Sequence, residues 1–175
     1  MLGVKLLDRH GRRLRDAARL RRAGDAPGAI DVLAEVLTAD ADHVAANAEM
    51  ARALRLLDDP AGAEEHLRRA LDVVLDYTLI CELAAALAEQ GRVAEAEESL
   101  DAALFMTEKQ PRLDPGEALL VRAVIAHGQG RDDDARAALA KIVPKRARRD
   151  TLRYAERVHA SIDASAASEP PPAGV

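Results

Sequence analysis

Five histidines, one cysteine and a run of three aspartates are the residues from which this chain could assemble a reaction or a metal site. The histidines, His10, His43, His66, His127 and His159, are scattered. They have neither the paired spacing of a metal site nor the companion cysteines of a zinc site, so surface or capping roles are expected. Cys81 could be a reactive thiol on an inner face only beside a base, and the sequence fixes none there. A small, half-buried apolar residue is the plainer reading. Asp132-Asp133-Asp134 has the look of a metal-binding triplet, but no calcium-loop spacing follows it. Its place just after Gly130 makes it a helix start, with carboxylates at the positive end of the dipole. No phosphate-cradling glycine loop, nucleophile elbow or catalytic pair stands at readable spacing. The expectation is a protein without enzymatic activity, cofactor or metal.

The elements that would have to position any site are written in alanines. Ala17, Gly24, Ala29 and Leu33 are followed by Ala51, Asp58, Ala63 and Leu67, then Ala84, Gly91, Ala96 and Leu100, then Ala123, Gly130, Ala135 and Leu139. Within each set twelve residues separate the alanines and four more reach the leucine, while the second alanine recurs after 34, 33 and 39 residues. Such a period belongs to stacked helical hairpins. With 49% apolar residues but one Phe, two Tyr and no Trp in 175 residues, the core must use small side chains that let helices approach closely.

Each set splits into two apolar stripes around a polar break. Gly24 suits a helix stop, Asp25 an N-cap and Pro27 the first turn of the next helix; Asp58, Asp59 and Pro60 repeat this, with Asp58 able to visit the left-handed region. Asp42, Asp76 and Asp114 precede the starts of later first helices. The longer third interval places a loop around Thr107 to Leu113. Arg146 to Ala164 carries Leu152, Ala155, Val158 and Ile162 on one stripe and reads as a cap helix.

These residues resemble the tetratricopeptide repeat: a small residue in the first helix, a Gly-polar turn, then Ala-x-x-x-Leu in the second. The resemblance covers positions 10 to 143. The chain departs from that pattern at Leu20, Leu54 and Leu87, where a Tyr is common. The resemblance implies an all-α, right-handed helical-hairpin solenoid of four repeats, at about 10–43, 44–76, 77–110 and 116–144. A cap helix at about 146–164 completes a solenoid over 1–164, and a disordered Pro-rich tail follows at 165–175. Some members grip a C-terminal carboxylate with paired Lys and Asn. The matching positions here are Leu14, Ala18, Glu49 and Arg52, so that activity is not carried over.

In this register the first helices face a concave groove. Its lining would be Leu14, Arg15, Arg21 and Arg22 from the first repeat, Glu49, Arg52 and Arg55 from the second, Cys81, Glu82 and Glu89 from the third, and Glu117, Leu120 and His127 from the fourth. The groove would run from basic to acidic. Charge is segregated along the chain as well: residues 1–23 carry +6, 24–140 carry −14 and 141–157 carry +5, within a net charge of −5. The basic ends either bind an acidic partner, dock on the middles of other copies, or merely solubilise. Nucleic acid is an unfavoured partner, because no aromatic platform accompanies the basic runs and the overall charge repels it. The expected function is a protein-binding adaptor or scaffold gripping a protein segment in the groove. A small dedicated chaperone and a self-assembling structural protein are the alternatives. A single cysteine, no signal-peptide core and no apolar run near the ~20 residues of a membrane span point to the cytoplasm.

Overall fold

The computed structural model describes residues 2–168, with side chains from 10 to 167, and within them the chain is all α. Its helices are α1 (Leu2–Arg22), α2 (Ala26–Ala39), α3 (Val44–Leu56), α4 (Pro60–Val73), α5 (Tyr77–Glu89), α6 (Val93–Lys109), α7 (Gly116–Gly128), α8 (Asp132–Leu139) and α9 (Arg149–Ser168). The chain divides into two compact units on either side of the Ser99–Leu100 step, within α6.

In the first unit α1 packs on α2, α2 on α3, α3 on α4 and α4 on α5. In the second, α7 packs on α8, and α9 packs on both. All eight repeat alanines are 0% exposed, as crossing points require: any larger group there would hold two backbones apart. Leu33, Leu67 and Leu100 are as fully buried, and Leu139 nearly so. Around the alanines of the first hairpin the core is filled by Leu33, Val36 and Met50, with Leu14, Leu20 and Leu54 half-buried against it. In the second unit Leu119, Leu139 and Ile142 meet Ala155, Val158 and Ile162 of α9, so the cap stripe covers the last hairpin. Tyr77 is buried at the start of α5.

The four interhelical turns share one hydrogen-bond design. The N–H groups of Asp25, Asp59, Arg92 and Arg131 donate to the carbonyls of Leu20, Leu54, Leu87 and Ala126 at 2.9–3.0 Å. Those of Gly24, Asp58, Gly91 and Gly130 donate to carbonyls three residues back. That pairing satisfies orphan carbonyls at a helix end and needs a left-handed residue in the middle. Gly24, Gly91 and Gly130 have φ of 86°, 76° and 72°, and Asp58 takes the same role at 59°. Asp25 and Asp59 then cap α2 and α4 by accepting from the N–H of Gly28 and Gly62, each at 2.9 Å. A Cβ on either glycine would stand 2.4 Å from the capping carboxylate.

Several boundaries differ from the sequence reading, among them the start of the cap helix, which lies at Arg149 and not near 146. His43, not Asp42, caps α3, its Nδ1 accepting from Ala46 N–H at 3.3 Å. The expected loop from Thr107 is helical to Lys109, because Met106, Glu108 and Lys109 favour helix and Pro111 is the first residue to break it. Residues 165–168, expected in the unstructured tail, continue α9, as alanines there permit until the prolines. The remainder of that tail lies outside the described residues.

One buried polar network ties the α2–α3 turn to α4. Asn47, fully buried, donates through Nδ2 to the carbonyls of Ala41 (2.8 Å) and His43 (3.2 Å). Its Oδ1 is therefore left to accept from Nδ1–H of His66 at 2.7 Å. Burial, with Arg69 adding to it, holds His66 below its ordinary pKa.

Two outcomes follow. At equivalent turn positions, Asp58→Gly should raise unfolding free energy by up to about 1 kcal/mol and Gly91→Ala lower it by about the same, read by urea denaturation. Because His66 titrates lower in the folded chain, its contribution is complete above the unfolded pKa of about 6.5 and is lost as pH falls through the folded value. His66→Asn, which keeps a donor at the same place, should flatten the stability profile on the acid side of pH 6.5.

Candidate functional site

A groove of about 420 Å³ opens in the first unit between α1, α3 and the segment that leads into α5. Its floor is apolar and built of small residues: Leu14 and Ala18 from α1, Val44, Ala45 and Ala48 from α3, and Val74 and Leu79 beyond. Beside it runs an apolar lip, Val73-Val74-Leu75, with Val73 56% and Leu75 72% exposed. Val74 and Asp76 are extended, which holds the lip side chains out into solvent between two helices.

The charges of the groove fall into two kinds. Glu49 accepts from Arg21 Nε at 3.0 Å and from Arg52 Nη1 at 2.6 Å. Arg52 turns its Nε and Nη2 to Glu82 Oε1 at 2.9 and 2.6 Å. A continuous ladder Arg21–Glu49–Arg52–Glu82 thus crosses α1, α3 and α5, and Arg55 with Glu89 forms a further rung. Asp76 caps α5 through Leu79 N–H. Arg15 and Arg22, in contrast, line the groove with no carboxylate within ion-pair distance among the described residues.

Burial sets the balance along the ladder. It opposes the charge of Glu49, but hydrogen bonds and attraction from Arg21 and Arg52 outweigh it and hold the carboxyl below the ordinary range. At Glu82 burial wins, pushing the carboxyl up despite Arg52. Its Oε2 is buried without a hydrogen-bond partner among the described residues, which favours the protonated form.

Five of the sequence-derived residues, Leu14, Arg15, Arg22, Glu49 and Arg52, therefore line one groove. Arg21, Arg55, Glu82 and Glu89 belong to the ladder or its extra rung, so the anticipated basic-to-acidic gradient is largely neutralised by internal pairs. Cys81 is 1% exposed and packed inside, because α5 turns its neighbour Glu82, not the thiol, toward Arg52.

Glu117, Leu120 and His127 lie in the second unit. Glu117 stands 3.8 Å from Arg148, and Leu120 packs on the core of α7, α8 and α9. His127 Nδ1 is 2.6 Å from Asp132 Oδ1, and its Nε2 is 2.9 Å from Ser161 Oγ. That connectivity is shared with hydrolytic triads, but Ser161 sits within α9, where backbone N–H groups are committed to the helix and none is aimed as an oxyanion donor. The three side chains instead tie α9 to α7 and α8. Among the described residues no group of three or more His, Cys, Asp or Glu converges as a metal site, and no helix is long and apolar enough to cross a membrane.

The ladder escaped the sequence reading although a signal for it exists. Its inter-helix partners lie 28 and 30 residues apart, the Arg55–Glu89 rung 34, and Arg92 reaches Glu64 across 28. Opposite charges placed about one repeat apart are the pattern to look for. The lip was missed because Val73-Val74-Leu75 reads as buried filler.

Helix pairs with alanine crossings, a left-handed turn residue and a groove lined by first helices define a helical-hairpin repeat protein. Tetratricopeptide repeat models match residues 20–79 and 81–150, and the chain belongs to that family. No curated protein matches the sequence significantly. Among solved structures the chain is similar to the crystal structure of MamA, at 21% identity and a TM-score of 0.56, covering 87% of this chain and 97% of that one. An aspartate-to-lysine mutant of MamA aligns at 16% identity and a TM-score of 0.53, over 83% of this chain and 75% of the other. At these identities the likeness is one of fold. Repeats of this family generally mediate protein–protein interactions and are typically non-enzymatic.

The ladder yields a sharp expectation. Arg52→Met leaves Glu82 without its counter-charge and should cost about 2 kcal/mol, whereas Arg52→Met with Glu82→Gln should recover at least about 1 kcal/mol. Because the folded pKa of Glu82 is raised, the single variant should lose stability progressively as pH rises through that value. Chemical denaturation of both variants from about pH 4 upward, starting near the unfolded carboxyl pKa of about 4.3, tests this.

Proposed function

We propose that the chain is a non-enzymatic adaptor that holds a segment of a partner protein in the groove of its first unit. The observation that carries this reading is the contrast between Arg15 and Arg22 and the other groove charges. Glu49, Arg52 and Asp76 are satisfied internally, while the two α1 arginines overhang an apolar floor with no carboxylate within ion-pair distance among the described residues. A segment bearing a carboxylate and apolar side chains gains from both at once, burying surface on Leu14, Val44 and Val74 while pairing a cation already in place. Small floor residues, Ala18, Ala45 and Ala48, leave room for the partner's larger ones. The family's general role in protein binding and the single buried cysteine suit an adaptor working in the cytoplasm.

A photo-crosslinking residue in place of Ala45 should yield adducts with a partner protein in cells, and the same residue at the fully exposed Asp133 should not. Arg15→Glu with Arg22→Glu should reduce the Ala45 adducts at least about tenfold without changing the melting temperature. Equal crosslinking at both positions, or adducts indifferent to the double reversal, would remove the groove from consideration.

A further inference from the structure

The arginines of the first unit are, with few exceptions, answered by carboxylates. Arg13 pairs with Glu35, Arg68 with Glu64, Arg69 with Glu65 and Arg92 with Glu95, beside the ladder. The solvent face of α9 in the second unit breaks this habit. Arg149, Arg153 and Arg157 follow one another at four-residue spacing, all exposed, with no ion pair within 4.0 Å among the described residues. Asp150 and Glu156 flank the row on the same helix without engaging it.

Helix stability does not account for the row. Like charges four residues apart repel on a helix surface. Arg149 opens α9, where the dipole disfavours a cation, and the last turn, where cations are favoured, holds none. The like-charge repulsion along the row is not relieved by any ion pair within 4.0 Å among the described residues. A carboxylate row brought by another molecule would relieve it.

The spacing describes that charge. At 1.5 Å per residue the guanidinium stems recur about every 6 Å along a line of about 12 Å. Carboxylates four residues apart on a second helix recur at the same interval. Tyr154, 53% exposed beside the row, offers an apolar ring and a hydroxyl to the same partner. A long polyanion such as nucleic acid would feel the net charge of −5 along its length, whereas a short acidic helix feels mainly charges within a Debye length of about 8 Å. We propose that the Arg149, Arg153, Arg157 face of α9 is a docking ridge for an acidic helical segment of a partner protein, with carboxylates spaced four residues apart.

The probe is an alanine-based helical peptide with three Glu at four-residue intervals, titrated by fluorescence anisotropy against the full chain. Controls are the same peptide with Gln, and one with the three Glu two residues apart. The regular peptide should bind at least about tenfold tighter than either control and weaken at least about tenfold between 0.05 and 0.5 M salt. Arg149→Gln with Arg153→Gln and Arg157→Gln should abolish the preference, the corresponding three Lys substitutions should retain most of it, and Arg15→Gln with Arg22→Gln should leave it intact. The last comparison separates this ridge from the groove. Equal affinity for regular and mis-spaced peptides, or binding indifferent to the triple Gln change, would overturn the proposal. So would tighter binding of a poly-dT strand of about twelve nucleotides, or salt-sensitive self-association through the ridge seen by sedimentation without peptide.

Discussion

Close approach of helix backbones at alanine is the constraint on which the rest depends. With no tryptophan and almost no other aromatic volume to fill a core, two helices can bury their apolar faces only by moving together until methyl groups touch. Eight alanines without exposed surface mark where this happens. Helices brought that close must be joined by a turn of fixed geometry. The left-handed residue and its two hydrogen bonds recur at all four breaks for that reason. Asp58 shows that the turn geometry outranks the preference of the residue occupying it.

The same closeness places long polar side chains of successive first helices within reach of one another. Where arginine and glutamate fall about one repeat apart they join, and a half-buried ladder replaces what exposed charges would otherwise do. Pairing of this kind contributes modestly to stability and strongly to geometry, because losing one member strands the other away from water. It also sorts the charges of the molecule. Those inside the ladder are occupied by structure, whereas Arg15 and Arg22 on α1 and Arg149, Arg153 and Arg157 on α9 have no ion pair within 4.0 Å among the described residues.

Most of the architecture is legible in the amino-acid sequence, because alanine spacing and turn residues are local signals reporting directly on crossing points. The Asp25 and Asp59 caps, the left-handed Asp58 and the buried stripe of α9 all follow from a few neighbouring residues. What escaped detection depends on distance in sequence. The Arg21–Glu49 and Arg52–Glu82 pairs join residues 28 and 30 positions apart, so a scan for exposed helix faces reads them as free charge. Cys81 was misplaced by about one helical step, since the face of α5 is set by how Glu82 meets Arg52. The union of His127, Asp132 and Ser161 needs α9 folded back across α7, which no local pattern announces.

Scarcity of aromatic residues has a spectroscopic corollary. Each compact unit holds one tyrosine, Tyr77 buried in the first and Tyr154 largely in water in the second, and there is no tryptophan to mask them. Near-ultraviolet dichroism therefore reports almost entirely on the packing around Tyr77, while phenol emission from Tyr154 already resembles that of a denatured chain. The native sequence thus carries its own selective optical label for the first unit.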